Sequence, residues 1–151
     1  MKDIKVSVLI ANYNNEQYLT ECIDSIKKQT YQNVEIIIHD DASSDNSIKR
    51  INKYKNIKII KNKKRGKYGS YNQMNAYNRA FKISNGEIIF LLDSDDLFSK
   101  NKIKNVINAF SKNKKITSLF DLPIYKYKKK LNLIKNKKKF VSNYWPYIPP
   151  Q

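Results

Sequence analysis

The chain has 151 residues, of which 30 are Lys or Arg, 13 are Asp or Glu and one is Cys, and its formal net charge is +17. This length fits one domain whose core folds without disulfides, and a single cysteine excludes a disulfide framework and a cysteine-based zinc site. No apolar run approaches the roughly 18 residues of a membrane span, and no signal peptide is evident, so we expect a cytoplasmic protein.

The positive charge is concentrated in the last third of the chain. Residues 99–151 contain 14 Lys and one acid, whereas the 16 bases of residues 1–98 are nearly balanced by 12 acids. A basic surface of this kind favours nucleic acid or an anionic membrane as a partner. Only three of the bases are Arg, although readers of bases and phosphates generally favour Arg. Compositional drift with a solvated face is therefore the preferred explanation, and nucleic acid is disfavoured.

The first 110 residues alternate between strand and helix patterns. Four short apolar runs rich in β-branched residues predict strands that are buried on both faces of a sheet. They lie at residues 5–11, 34–39, 57–60 and 88–92. Apolar stripes with helical spacing follow each run, at residues 19–26, 48–54, 74–81 and 103–110. This alternation predicts right-handed βαβ units and a parallel sheet.

The helix boundaries are predicted from capping residues. Asn14 is the expected cap of the first helix, Ser43 and Ser44 of the second, and Ser99 of the fourth, while Gly86 is expected to stop the third. The third stripe consists of Met74, Tyr77 and Phe81. Cys22, on the first helical stripe, is interpreted as core. His39 is either a metal ligand or a packed residue at the strand end, and the second interpretation is preferred.

Beyond residue 110 the pattern weakens. Residues 116–120 are a candidate strand, and residues 124–134 are either a Lys-rich edge hairpin or a loop. Residues 143–151 contain three prolines, which excludes regular structure there. Trp145 and Tyr147 in that stretch form either a sugar-stacking platform or a cover for the sheet edge. We accordingly divide the chain into an α/β domain, residues 1–110, and a Lys-rich segment, residues 111–151.

Acidic residues follow two of the predicted strands. Asp40 and Asp41 come after the second strand, and Asp93, Asp95 and Asp96 come after the fourth. Open α/β sheets bind ligands at the carboxyl ends of their strands. Carboxylates so close together repel one another unless a cation or hydrogen-bond donors separate them. The cluster therefore favours Mg²⁺ or Mn²⁺, which takes one or two carboxylates plus substrate phosphates, and an acidic turn that caps the next helix is the alternative.

Three segments, VSVLIANYN, IIIHDDASSDNS and NGEIIFLLDSDD, resemble the family 2 glycosyltransferases in their order and spacing. The resemblance covers residues 4–110 and implies a Rossmann-like GT-A (nucleotide-diphospho-sugar transferase) fold, with a mainly parallel sheet flanked by helices. It also implies an enzyme of polysaccharide biosynthesis. Such an enzyme transfers sugar from a nucleotide-diphospho-sugar, expected to be a UDP-sugar, to a glycan or lipid-linked acceptor, with inversion and with Mn²⁺ or Mg²⁺ as cofactor.

The same resemblance implies roles for individual residues. Ala11, Asn12 and Tyr13 correspond to the shelf for the nucleobase, and Asp41 to the acceptor of the uracil imide N–H. Asp40 is expected to shape the turn.

Asp93 and Asp95 match the DXD signature of the family. Asp95 is the expected metal ligand, Asp93 is expected to contact the ribose or the metal, and Asp96 is a further candidate ligand.

Lys67 and Asn78 complete the expected nucleotide-binding set. Asn78 keeps the Asn of the family's Ala-Arg-Asn segment, in which Tyr77 here replaces Arg. If the family's Arg neutralises the donor diphosphate, Lys67, Arg65 or Arg79 would supply that positive charge here. The loop of residues 65–70 is expected either to meet phosphate oxygens through its backbone N–H groups or to form an exposed Lys-rich turn.

The family places its general base in an acceptor-side half. Asp121 is the one acid after Asp96, and a turn acid before Leu122 and Pro123 is the simpler interpretation of it. We therefore expect a chain that ends before the acceptor half, binds donor and turns over poorly. The alternative function is a module that binds a polyanion or a membrane surface through the basic C-terminal segment. Both properties coexist in an enzyme held at the inner face of an anionic membrane.

Overall fold

The computed structural model describes residues 3–120 and the backbone of two short strands, 125–127 and 130–132. The chain divides into two compact units, Met1–Thr117 and Ser118–Gln151. The predictions for Asp121, Trp145, Tyr147 and residues 143–151 lie outside the described residues. Among the helices that are described, none combines the length and the apolar character needed to cross a membrane.

The first unit is a parallel four-stranded sheet with helices on both faces. Its elements are β1 (Val6–Asn12), α1 (Glu16–Lys27), β2 (Val34–Asp40), α2 (Ser47–Ile51), β3 (Ile57–Lys61), α3 (Gly69–Lys82), β4 (Ile88–Asp93) and α4 (Lys102–Lys112). All four predicted strands and all four predicted helices are confirmed. The strand order is β3-β2-β1-β4, and every pairing is parallel. Strands β2 and β3 are therefore added on one side of β1, and β4 is added on the other side. Open α/β sheets form ligand crevices at such a switch point in strand order.

The core lies on both faces of the sheet, as the uninterrupted apolar strands predict. On one face, Val8 and Ile10 of β1 pack with the apolar stripe of α1 and with Ile103 of α4. On the other face, Leu9 packs with Ile37 and with Ala80 of α3. Each fully buried aliphatic side chain of this kind contributes about 1.5–3 kcal/mol to stability. Burial on both sides holds the carboxyl ends of β1, β2 and β4 at one edge.

The buried face of α3 differs from the predicted one. Its buried residues are Asn72, Ala76 and Ala80, whereas Met74 is 68% and Phe81 is 56% exposed. The helix lies against β1 and β2, and small side chains at these positions permit the close approach. The larger side chains instead line an apolar groove of about 320 Å³ beside β4. Of the predicted stripe Met74, Tyr77 and Phe81, only Tyr77 packs against the core, so the stripe marks the helix but not its buried face.

The predicted helix caps are also wrong, because other residues satisfy the helix ends: a residue distant in sequence for α1, and Asp45 Oδ1, two residues before Ser47 N, for α2. The N-terminal neighbours of α1, α2 and α4 are Asn15, Asn46 and Asn101, and none of the three forms a side-chain cap. The first amide of α1, Glu16 N, instead donates to Asp45 Oδ2 at 2.9 Å.

The residue expected to stop α3 has a different role. The helix ends at Lys82, with Ile83 as its C-cap, three residues before Gly86. Gly86 is needed where the chain approaches β1, since a Cβ there would lie 2.4 Å from Ser7 N.

The second unit contains a hairpin. Strands β5 (Tyr125–Tyr127) and β6 (Lys130–Asn132) pair antiparallel with each other, which confirms the hairpin alternative for this stretch. Residues 116–120 form no strand, so that prediction is wrong. A β-branched run becomes a strand only where a neighbouring backbone offers hydrogen bonds, and residues 116–120 are not paired with any strand that the structure describes.

Candidate functional site

A cleft of about 490 Å³ opens at the carboxyl ends of β1 and β4. The register sets Ala11 of β1 beside His39 of β2 and Asp93 of β4, so the residues that follow these strands converge on one edge. The cleft is lined by Ala11, Asn12, Tyr13, Asn15, Asp41, Arg65, Gly69, Ser70, Asn72, Gln73, Ala76, Asp93, Ser94 and Asp95. It therefore contains the predicted shelf of residues 11–13, Asp41, and the first and third residues of the DXD element.

One wall of the cleft is formed by Tyr13, Arg65 and Asp41. The guanidinium carbon of Arg65 lies 3.5 Å from the centroid of the Tyr13 ring, which is a stacked contact. Arg65 Nε also lies 3.4 Å from Asp41 Oδ2. The Asp41 side chain is only 8% exposed, and its Oδ2 accepts no hydrogen bond from the described residues. This buried oxygen has an ion-pair partner but no hydrogen-bond donor, so a ligand N–H can supply the missing hydrogen bond.

The turn after β2 orients Asp41. Asp40 accepts hydrogen bonds from Ser43 N at 2.9 Å, from Ser43 Oγ at 2.6 Å and from Asn12 Nδ2 at 2.8 Å. Asp40 thus shapes the turn, as predicted. Ala42 adopts a left-handed conformation with φ of 61°, which reverses the chain directly after Asp41. The side chain of Asn12, predicted to bind nucleotide, is engaged in this turn through its Nδ2.

The loop between β3 and α3 supports Asp41 from the other side. Asn62 Nδ2 donates to Asp41 Oδ1 at 2.6 Å, and Asn62 Oδ1 in turn accepts from Arg79. The buried Asn72 donates from Nδ2 to the carbonyl of Gly66 at 2.9 Å, which ties this loop to α3. Because Asn62 already donates to Oδ1, Oδ2 is the oxygen of Asp41 that can accept a hydrogen bond from a ligand.

The acidic cluster after β4 forms the floor of the cleft. Asp93 Oδ1 accepts hydrogen bonds from the hydroxyl of Tyr77 and from Gln73 Nε2, both on α3. Burial, and then Asp93 itself, hold the pKa of Tyr77 well above its usual value, so Tyr77 remains a donor. Asp95 lines the cleft and is exposed, whereas Asp96 is not among the lining residues.

The electrostatics of this cluster favour a cation. Partial desolvation, and then the charges of Asp95 and Asp93, raise the pKa of Asp96. Cys22 is buried in the core as predicted, with its Sγ 3.6 Å from the Asp93 carbonyl oxygen. Burial, followed by the charges of the same three carboxylates, raises the pKa of its thiol to about 12. These carboxylates are thus mutually repulsive, and a cation near them would relieve that repulsion.

The described residues fit a divalent cation only in part. They contain no group of three or more His, Cys, Asp or Glu side chains placed to hold a metal together. Asp93 and Asp95 nevertheless present hard oxygen ligands to the same cleft. Mg²⁺ and Mn²⁺ commonly take one or two protein carboxylates and complete their shell with phosphate oxygens and water. The donor set therefore fits a cation that arrives with a phosphate ligand.

Some predicted residues do not line the cleft. Lys67 is exposed, and its Nζ lies 5.5 Å from the ring centroid of Tyr68. Asn78 lines the apolar groove beside β4, because five residues along a helix turn it away from Gln73. His39 is 1% exposed and occupies the strand end as predicted, and burial followed by the charge of Arg79 lowers its pKa.

The structure also brings residues into the site that sequence reasoning did not place there. Gln73 and Tyr77 bind Asp93, and their i, i+4 spacing on α3 is the one signal that indicates a shared face. Arg65 was expected at a diphosphate, whereas its guanidinium lies on the proposed base shelf. The supporting role of Asn62 has no sequence signal, because an asparagine after a strand is also a common turn residue.

The model of the family described as "Glycosyl transferase family 2" matches residues 7–149 of the chain. The chain belongs to glycosyl transferase family 2. One relative is an Escherichia coli protein that is 36% identical to this chain over 113 residues. Its name is "UDP-Glc:alpha-D-GlcNAc-diphosphoundecaprenol beta-1,3-glucosyltransferase WfgD". That match covers 75% of this chain and 44% of the relative, so the chain spans less than half of that protein.

Solved structures of glycosyltransferases have the same fold. Staphylococcus aureus TarS 1–349 in complex with UDP superposes with a TM-score of 0.64 at 27% identity, over 72% of this chain and 32% of that one. A mannosyltransferase from Pyrobaculum calidifontis in complex with GDP-Man and Mn²⁺ has a TM-score of 0.62 at 21% identity, over 72% of this chain and 32% of that one, a likeness that concerns the fold. The first unit of this family 2 chain is thus the GT-A fold.

Proposed function

We propose that the cleft binds the uridine diphosphate part of a nucleotide-sugar and that the family 2 protein transfers the sugar to a glycan or lipid-linked acceptor. The observation that carries this proposal is the pairing of an aromatic face, Tyr13, with a buried carboxylate oxygen, Asp41 Oδ2, that accepts no hydrogen bond within the described residues. Uracil has a flat face for the ring and an imide N–H for the carboxylate. The UDP complex of the TarS structure supports this choice of base.

The remaining donor contacts follow from the geometry of the cleft. Asp93 has one oxygen held by donors from α3, and we propose that its other oxygen contacts the ribose hydroxyls or the metal through water. Gly69 and Ser70 lie at the N-terminus of α3 and line the cleft. Their backbone N–H groups and the positive end of the helix dipole are suited to the diphosphate.

We further propose that Asp95, together with Asp93, holds a divalent cation, Mn²⁺ or Mg²⁺, at the diphosphate. When bound, such an ion supplies Lewis-acid stabilisation of the charge on the departing diphosphate. Inverting transfer also needs a base for the proton of the acceptor hydroxyl, and the candidate for it, Asp121, lies outside the described residues. The lipid-linked acceptor in the name of the E. coli relative, with the basic residues after position 99, supports action at the inner face of a membrane.

The test is calorimetric titration of UDP and CDP into the wild-type chain and into Asp41→Asn. Cytosine lacks the imide N–H, so the wild-type chain should bind UDP more tightly than CDP. Asp41→Asn should lose this preference, and its affinity for UDP should be about ten- to a hundredfold lower than that of wild type. Glu21→Gln is the matched control, since it removes one negative charge from an exposed position of α1. Equal binding of UDP by wild type and Asp41→Asn contradicts the proposed base site.

The metal contribution is measured by repeating the UDP titration with and without Mn²⁺ in wild type and in Asp95→Asn. Wild type should bind UDP more tightly with Mn²⁺, and Asp95→Asn should lose most of that increase. An Mn²⁺ effect that survives in Asp95→Asn would remove this residue from the metal site and leave the base site standing.

A further inference from the structure

The guanidinium of Arg65 occupies the space that the proposed function reserves for the nucleobase. Its carbon lies 3.5 Å from the centroid of the Tyr13 ring, which is van der Waals contact. Its Nε lies 3.4 Å from Asp41 Oδ2. A uracil ring that stacks on this face of Tyr13 and reaches the same carboxylate oxygen needs the same volume. The two groups therefore exclude each other.

The guanidinium also reproduces the chemistry expected of the base. It is planar, it stacks on an aromatic face, and it directs N–H donors outward in its own plane. In the absence of a ligand it places a positive charge beside Asp41, whose side chain is 8% exposed. A carboxylate at that depth without a countercharge would destabilise the fold. Arg65 thus serves as an internal substitute for the ligand.

The position of Arg65 allows its side chain to leave. The residue lies in the loop between β3 and α3, and its side chain is 41% exposed. The backbone of this loop is held on either side of Arg65, by Asn62 N donating to the Asp40 carbonyl at 2.9 Å and by Asn72 Nδ2 donating to the Gly66 carbonyl at 2.9 Å. The side chain can rotate into solvent while the loop stays in place.

We propose, on the basis of the nucleobase site above, that Arg65 closes this site by occupying it and that the incoming base displaces the guanidinium. The apparent Kd for the base then equals the intrinsic Kd divided by the fraction of molecules in which the site is open. A stacked cation and a half-exposed ion pair together keep the site closed in most molecules. Removal of the competitor should accordingly tighten base binding by about three- to tenfold.

The first test is titration of uridine, which has no phosphate, into the wild-type chain and into Arg65→Ala. Uridine isolates the base site, because any contact between a displaced Arg65 and the diphosphate is absent. Arg65→Ala should bind uridine about three- to tenfold more tightly than wild type. Lys64→Ala, which removes the same charge from the neighbouring exposed position, should bind as wild type does. Equal or weaker binding by Arg65→Ala overturns the proposal.

The second test is carried out in the wild-type chain by NMR, so it does not depend on a variant. The Nε–Hε signal of Arg65 should be shifted upfield by the Tyr13 ring and should move to its unstacked position when uridine is added. A signal that keeps its ring-current shift in the uridine-bound protein overturns the displacement. If wild type binds uridine and Arg65→Ala binds no better, only this inference fails. If neither protein binds uridine, the proposed function fails with it.

Discussion

Glu35, at the amino end of the sheet, offers a sharp test of how the fold is held together. Ser7 Oγ donates to Glu35 Oε1 at 2.6 Å, Asn85 N donates to the same oxygen at 2.6 Å, and Lys58 Nζ lies 2.9 Å from Oε2. Burial by itself would raise the pKa of this carboxyl. The three donors more than compensate, and they lower its pKa from 4.5 to about 2.

The change from 4.5 to about 2 makes the ionised carboxylate worth about 3 kcal/mol of folding free energy, since the side chain is only 11% exposed. Because the folded pKa lies below the unfolded value, this stability is present above about pH 4.5 and is lost as the pH falls toward 2. Glu35→Gln should therefore be less stable than wild type by up to about 3 kcal/mol at pH 7. About half of that difference should remain at pH 3, one unit above the folded pKa.

The measurement is urea unfolding of wild type and Glu35→Gln at pH 7 and pH 3, with Glu21→Gln as the exposed control. Burial of His39 also reduces stability below its ordinary pKa, but it does so in all three proteins and cancels in the differences. UDP binding should be unchanged in Glu35→Gln, because the carboxylate lies at the opposite end of β2 from Asp41. A stability difference that is the same at both pH values would refute this account of the carboxylate.

Two further predictions concern a glycine and a tyrosine. Gly86→Ala should destabilise the fold by about 1–3 kcal/mol in urea unfolding, because its Cβ would lie 2.4 Å from the backbone of β1. Gly69→Ala, whose Cβ meets its nearest neighbour at 3.8 Å, should be neutral or stabilising, and equal effects of both would contradict the steric argument. Tyr77→Phe removes a donor from Asp93 and should weaken UDP binding about three- to tenfold, with a loss of about 1 kcal/mol in stability. Tyr71→Phe, 65% exposed on the same helix, should change neither quantity, and UDP affinity unaffected by Tyr77→Phe would contradict the positioning of Asp93 by Tyr77.

The strands and the functional edge of this family 2 chain were predictable from the sequence. A strand that is buried on both faces must be apolar without interruption, so runs such as 34–39 and 88–92 mark their elements directly. Parallel strands end at one edge, so the acids that follow β2 and β4 had to lie near each other and near Tyr13. These inferences need only local pattern and the topology of βαβ units.

The apolar stripe at residues 19–26 is the buried face of α1, as its spacing indicates. The buried face of α3 and the start of α1 were not predictable, because they depend on residues far apart in the chain. The closest packing of α3 on the sheet selects Ala76 and Ala80, whose small size permits the approach, over the larger Met74 and Phe81. The first amide of α1 is satisfied by Asp45, from the loop before α2, which no local capping pattern indicates.

The state of the candidate site was likewise decided only by the tertiary structure. The strand pattern places Tyr13 and Asp41 at the same end of the sheet, and the family resemblance adds a basic loop to their binding region. Only the fold shows that Arg65, fifty-two residues along the chain from Tyr13, stacks on its ring. Local sequence determines which backbone segments are strands and where they end, because those properties follow from hydrophobic periodicity. Which side chains meet across the end of a sheet depends on distances of a few ångströms between separate elements, and these exist only once the chain has folded.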